Sequence, residues 1–320
     1  MRKLFVCALA LLLACTPMMA LAAEGAKSIG VIQYVQHVAL DSACEGFVQA
    51  LADNGFVDGE NITLDIQNAQ ADASNLATIS DRFVANNVDL VLAIATPAAQ
   101  TMAGKTTAIP ILGTAITDYE VARLVNSNEN PGTNVSGTTD MNPVADQIKL
   151  IKELFPETQA VGVLYTSSED NSILQAQMAK EAIEAEGMTY VEGTVSSSND
   201  VQQATQSILD SCDAIYIPTD NVFASSMAVV YEVTTAAKKP VIGGEAGMVK
   251  AGGLATLGIN YYNLGYQTGE MAVRVLGGED ISTMPIETAS DVDYTFNSTY
   301  AEAIGFTIPE KYLPYAAAME

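Results

Sequence analysis

Tryptophan is absent from this chain, histidine occurs once, and Lys and Arg number 14 against 38 Asp and Glu. Each scarcity excludes something. A formal charge of −24 leaves no clustered cation to replace phosphate counterions, which excludes a nucleic-acid binder and argues against an anionic membrane surface. One histidine and four cysteines are too little material for zinc sites or a disulfide framework. No Walker sequence occurs, and Gly243-Gly244 lacks the three-glycine phosphate fingerprint. No spacing singles out a nucleophile for the lone His37, which reads as a rim or loop residue rather than a catalytic base. The chain calls for no metal and no cofactor.

What is present begins with an export signal. Arg2 and Lys3 form a basic start, and Leu4 to Ala14 is an apolar run too short to span a bilayer of about 30 Å. Pro17 breaks the run and Ala20-Leu21-Ala22 supplies a small-x-small cleavage site, so residues 1–22 read as a signal peptide cleaved after Ala22. Leu12-Leu13-Ala14-Cys15 also fits a lipoprotein box with Cys15 lipidated. The expected compartment is the periplasm, with lipid anchoring at Cys15 as the alternative. Cleavage removes two basic residues and leaves 12 against 38 acidic. Cys44 and Cys212, in separate predicted helical regions, are expected to stay unpaired and buried.

Past the leader, short apolar runs alternate with amphipathic helices. Ser28 to Ile32 is a strand, and a helix near Asp41 to Asn54 puts Ala43, Phe47 and Leu51 on one face before Gly55 stops it. Val88 to Ala95 is nearly continuous apolar, the mark of a parallel strand buried on both faces. The series restarts after Asn142-Pro143, with strands at Ala160 to Tyr165, Ala214 to Ile217, Pro240 to Gly243 and Leu254 to Gly258. Two such series predict an α/β fold of two doubly wound parallel-sheet lobes. The expected division is 27–138 plus 261–290 for the N-terminal lobe and 139–260 plus 291–320 for the C-terminal lobe. Three crossings are expected, near Thr138-Thr139, Asn260-Tyr261 and Ser290-Asp291.

Ligands of open α/β sheets bind beyond the carboxyl ends of the strands. Polar residues gather there: Gln33 and Tyr34, Thr96 to Gln100, Thr114 and Asp118, Ser167 to Asn171, Thr219 to Asn221, and Glu245. Thr96 reads as an N-cap with Pro97 at the first helical position, leaving the amides of Ala98 and Ala99 free as an anion cradle. Ser167 and Ser168 hold the matching place in the second lobe. Asp118, Asp220 and Glu245 can accept from an ammonium, with Asn171, Thr219 and Asn221 completing the hydrogen bonds. This rim suits a zwitterion, although any single acid here also reads as an ordinary helix-start residue.

Several stretches resemble one family: Thr96-Pro97-Ala98-Ala99-Gln100, Val135-Ser136-Gly137-Thr138 to Asn142-Pro143, Ile217 to Asn221, Pro240 to Glu245, and Leu257 to Gly265. The chain resembles ABC-transporter substrate-binding proteins of the tryptophan/tyrosine-uptake type, with a type I periplasmic-binding fold, over nearly all of residues 28 to 312. The resemblance implies an extracytoplasmic receptor, not an enzyme, that delivers an amino acid, aromatic ones included, to a membrane permease and ATPase. By analogy, Thr96, Ala98, Ser167 and Ser168 would take a carboxylate and Asp220 or Glu245 an ammonium. Thr117-Asp118-Tyr119 departs from the family's usual Thr-Asp-Pro. Hinge closure of a monomer around the ligand is the expected mechanism. The rivals are a sensory ectodomain and a cleft hydrolase using paired carboxylates.

Overall fold

A computed structural model of the protein describes residues 26–289 and 292–318. The leader, Cys15 and the Ser290-Asp291 crossing lie outside the described residues. The first lobe runs β1 (Lys27–Gln33), α1 (Val38–Asp53), β2 (Ile62–Asn68), α2 (Ala73–Ala85), β3 (Leu90–Ile94), α3 (Thr96–Ala103), β4 (Ile111–Ile116) and β5 (Val135–Thr139). The second runs α4 (Val144–Leu154), β6 (Ala160–Thr166), α5 (Asp170–Ala185), β7 (Thr189–Val195), α6 (Val201–Ile208), β8 (Ala214–Ile217), α7 (Asn221–Ala224), α8 (Met227–Ala236), β9 (Val241–Gly243), α9 (Ala246–Gly252) and β10 (Ala255–Ile259). The chain then makes α10 (Tyr261–Leu276), β11 (Glu287–Thr288), β12 (Val292–Asn297), α11 (Ser298–Ile304) and β13 (Ala316–Ala317).

The first sheet has the order β11-β5-β4-β3-β1-β2 and the second β13-β12-β10-β9-β8-β6-β7. Counted within each lobe, the first five strands follow one order, second-first-third-fourth-fifth. The strand order therefore reverses between β1 and β3 in one lobe and between β6 and β8 in the other. Every pairing is parallel except β10 with β12. β3 is buried at all five positions, as its unbroken apolar run requires.

Chain crossings occur between β5 and α4, between β10 and α10, and between β11 and β12. α10 returns to the first lobe because it fits α1 at very close range. A Cβ on Gly46, Gly265 or Gly269 would overlap the backbone of the opposing helix, so these glycines set the approach. Phe47, Leu51, Leu264 and Met271 are fully buried in that seam. Cys44 is half-buried rather than buried, and both it and the buried Cys212 are free thiols.

Candidate functional site

In doubly wound sheets the ligand crevice lies at the point where strand order reverses. Here the two reversal points face one cavity. His37, Leu40, Ala115, Thr117, Asp140 and Tyr261 line it from the first lobe and the crossings. Asn171, Thr219, Asp220, Asn221, Ala224, Glu245 and Met248 line it from the second. Of the residues expected from sequence, Asn171, Thr219, Asp220, Asn221 and Glu245 are therefore brought together.

The second lobe builds its wall by repetition. Glu169, Asp220 and Glu245 are the N-cap residues of the helices that follow β6, β8 and β9, and all three are buried. Two of them cap in the ordinary way. Asp220 accepts from Phe223 N at 2.9 Å, and also from Thr166 N at 2.6 Å and Thr166 Oγ1 at 2.8 Å. Glu245 accepts from Met248 N at 2.8 Å and from Gly247 N. Glu169 leaves its own helix uncapped. Its Oε2 instead takes Asn221 Nδ2 at 2.6 Å and Asn171 Nδ2 at 3.3 Å, and its Oε1 has no partner.

Burial, and then the charge of Asp220, push the Glu169 carboxyl well above the usual range. Burial also raises Asp220, against four hydrogen bonds that lower it. Of the two, Asp220 has the fuller set of donors and Glu169 keeps one bare oxygen. Glu245 is pushed up to about 7 by burial, against the two amides it accepts.

A second polar group sits at the crossings. Asp140 accepts from Tyr261 hydroxyl at 2.7 Å and from Thr117 Oγ1 at 2.9 Å, which ties the start of α10 to the end of β5. Burial raises the Asp140 carboxyl. Asn142 does not cap α4 with its side chain. Its Oδ1 accepts from Ile259 N at 3.0 Å, a second tie between the two crossings. Gln175 Nε2 donates to Thr117 Oγ1 at 3.1 Å, and Thr219 Oγ1 donates to Gln175 Oε1 at 2.5 Å, so the chain of bonds continues into the second lobe.

The first-lobe cradle is not built as expected. Ala95, not Thr96, is the N-cap of α3, at φ 82° and ψ 152°. The amides of Ala98 and Ala99 are not free: both donate to Ala95 O, at 3.1 and 3.2 Å. The cap slips because β3 ends one residue earlier than its apolar run suggests, and Ala95 N bonds to Thr114 O. Thr96 is buried with its hydroxyl unpartnered, and Pro97 is half-buried in the first turn. Gln33 is spent within its lobe, donating to Val35 O at 2.9 Å and Asp41 Oδ1 at 2.7 Å. Tyr34 lies near the second-lobe acids, and its phenol is pushed up to about 12 by burial, then by Glu169 and Asp220.

Like Gln33, Tyr34, Thr96, Pro97 and Ala98, three further expected residues do not line the cavity. Asp118 accepts from Glu120 N and Val121 N, both at 2.9 Å, which makes it a turn residue. Ser167 and Ser168 are exposed, and Ser167 Oγ donates to Val195 O at 3.1 Å. The residue that turns inward is the next one, Glu169. Its signal was readable: an acid two or three residues past a strand recurs at Asp220 and Glu245. Asp140 and Gln175 carry no comparable local mark.

Among the described residues, six buried side-chain polar atoms have no partner. Four belong to this strand-end region: His37 Nδ1, Thr96 Oγ1, Glu169 Oε1 and Asn171 Oδ1. The network fixes the role of three of them. Asn221 Nδ2 donates to Glu169, so Asn221 Oδ1 accepts from His37 Nε2 across a long 3.4 Å contact, leaving His37 Nδ1 a bare acceptor. Asn171 Nδ2 donates to Thr219 O at 3.0 Å, leaving its Oδ1 bare. Burial lowers His37 to about 4, so its ring is neutral at pH 7.

The family model for ABC transporter substrate binding proteins matches residues 28–320. The chain belongs to that family. This substrate-binding protein is 41% identical over 278 residues to a tyrosine-binding protein of Clostridioides difficile, covering 87% of this chain and 81% of the relative. It is 38% identical to a domain from Streptococcus pneumonia solved in complex with L-Trp, with a TM-score of 0.88 and coverage of 92% and 99%. A substrate-binding protein with adhesive properties from Clostridium difficile, solved ligand-free and open, is 44% identical with a TM-score of 0.70 and coverage of 92% and 100%. Identity and superposition thus run in opposite directions: the chain superposes better on the tryptophan complex than on the ligand-free, open structure.

Side chains also bond directly from one lobe to the other. Gln100 Nε2 donates to Asp170 Oδ2 at 2.8 Å across the cleft, beside the Gln175–Thr117 bond. Among the described residues, no helix of the substrate-binding protein is long and apolar enough to cross a membrane.

Proposed function

We propose that this protein captures a zwitterionic amino acid between its lobes and presents the closed form to the permease and ATPase of an ABC importer. The carrying observation is the set of bare acceptors. An ammonium has three N–H donors. Glu169 Oε1, Asn171 Oδ1 and His37 Nδ1 are three buried acceptors joined through Asn221, and one of them comes from the opposite lobe. A ligand touching both lobes stabilises closure by its difference in affinity for the two states. On the first lobe the buried, unpartnered hydroxyl of Thr96 is the donor offered to the carboxylate.

The names of two relatives, one for tyrosine and one for a bound L-Trp, favour an aromatic amino acid. On this reading the leader exports the protein, by cleavage after Ala22 or lipidation at Cys15, and the chain works as a monomer without turnover. A thermal-shift screen of the amino acids tests it. A ligand at 100 times its dissociation constant adds about 2.7 kcal/mol to stability, so the true ligand raises the melting temperature. No shift with any of them would sink the proposal.

A further inference from the structure

The ammonium site uses one pair of buried acids, Glu169 and Asp220. A second pair, Asp140 and Glu245, lines the cavity together with Asp220 and Asn171, and Asp140 lies close enough to raise Glu245, while neither figures among the charges felt by Glu169, which sits behind Asn171 and Asn221. No Lys or Arg lines the cavity among the described residues. The ligand's one positive charge is already taken at Glu169, so the second pair must meet something else.

What it can meet follows from how far it is already satisfied. A carboxylate has about four acceptor positions. Asp140 has two filled, by Thr117 and Tyr261 hydroxyls, and Glu245 two, by the Gly247 and Met248 amides. Donors already compensate these charges, so a second ligand cation is not required. Each still has room for one more neutral N–H or O–H. The apolar part of the cavity lining is Leu40, Ala115, Ala224 and Met248, and a thioether such as that of Met248 suits contact with a ring.

We propose that Asp140 and Glu245 read a hydrogen-bond donor on the ligand's aromatic ring, so that the cavity takes phenol or indole side chains and rejects phenylalanine. The inference rests on the amino-acid reading above and names the determinant of its specificity. Tyrosine and tryptophan each carry such a donor, a phenol O–H or an indole N–H, and phenylalanine carries none. A site built to receive that donor loses more than a hydrogen bond when it is missing, because the buried acceptor is desolvated without return.

Isothermal titration of the exported protein with L-tyrosine, L-tryptophan, L-phenylalanine and L-lysine tests this. Tyrosine or tryptophan is expected to bind at least about tenfold more tightly than phenylalanine, with lysine weaker still. In Asp140→Asn and Glu245→Gln, whose folding is checked by their melting curves, the preference over phenylalanine is expected to shrink in at least one variant. Phenylalanine binding within threefold of both tyrosine and tryptophan in the wild type overturns the inference and leaves the amino-acid reading standing. Lysine binding tighter than tyrosine also overturns it, since the second acid pair would then be a cation site. Absence of heat with all four overturns both.

Discussion

At the ends of β6, β8 and β9 the second lobe sets an acid at each helix start, whereas the first lobe has one alanine at positive φ just past β3 and another inside β4. Ala95 lies at φ 82° and Ala115 at φ 56°, the latter within a register shift between Gly113 and Ile116. The second lobe thus meets the cleft with charge held in a hydrogen-bonded network. The first meets it with strained backbone, small side chains and single hydroxyls. Strain of this kind persists only where surrounding structure imposes it, and it gathers at ligand clamps. The contrast separates two tasks: the second lobe recognises charge, and the first shapes the cavity and closes it.

Breaking the charged side should have the largest effect. Glu169→Gln keeps the bonds from Asn171 and Asn221 but removes the negative charge opposite the ligand ammonium. Removing one member of a buried charge pair costs about 3–5 kcal/mol, so the ligand's dissociation constant should rise by at least about 100-fold. Without ligand the variant should melt no lower than the wild type, because its repulsion with Asp220 is gone. Ser168→Ala, outside the cavity, should leave the affinity within twofold. Equal affinity of Glu169→Gln and wild type, measured by calorimetry, would remove the second lobe from charge recognition.

The same four buried acids give a pH signature. Asp140, Glu169, Asp220 and Glu245 all have raised carboxyl groups in the folded chain. A raised acid stabilises fully below its unfolded value and loses that contribution as pH climbs through the folded one. For Glu245 the window runs from 4.5 to about 7, on the order of 3 kcal/mol. His37 opposes, gaining stability as pH rises from about 4 to 6.5, but it is one group against four. The unliganded protein should therefore melt higher at pH 5 than at pH 7.5, and ligand should narrow the gap. A scanning-calorimetry profile that rises with pH would contradict the burial of these acids.

Much of the architecture was legible because it is written in period and run length. The unbroken apolar run at β3 and the restart after Asn142 are local patterns, and they sufficed for two parallel-sheet lobes. The site was half legible. Asp220, Asn221 and Glu245 stand at strand ends by number alone, but which side chain turns inward depends on who caps the next helix. Glu169 was passed over for Ser167 and Ser168 because hydroxyls look like caps, whereas the cap position fell one residue later. Asp140 could not be seen at all. Its importance comes from Thr117 and Tyr261, which are 23 and 121 residues away and meet it only when the crossings fold.

The smallest effect tests the first lobe. Ala95 occupies a backbone region that is nearly glycine's alone, at a cost of order 1–3 kcal/mol, while glycine adds about 0.5–1 kcal/mol of chain entropy to lose on folding. Ala95→Gly should therefore stabilise the unliganded protein by about 1 kcal/mol, read as a small rise in melting temperature. If the strain serves to aim Thr96, the same change loosens the α3 turn, and the ligand's affinity should fall a few-fold even as stability rises. Charge recognition is untouched, so the pH profile should keep its slope. A variant that melts lower would mean that the Ala95 side chain, fully buried against its neighbours, contributes more by packing than its conformation costs.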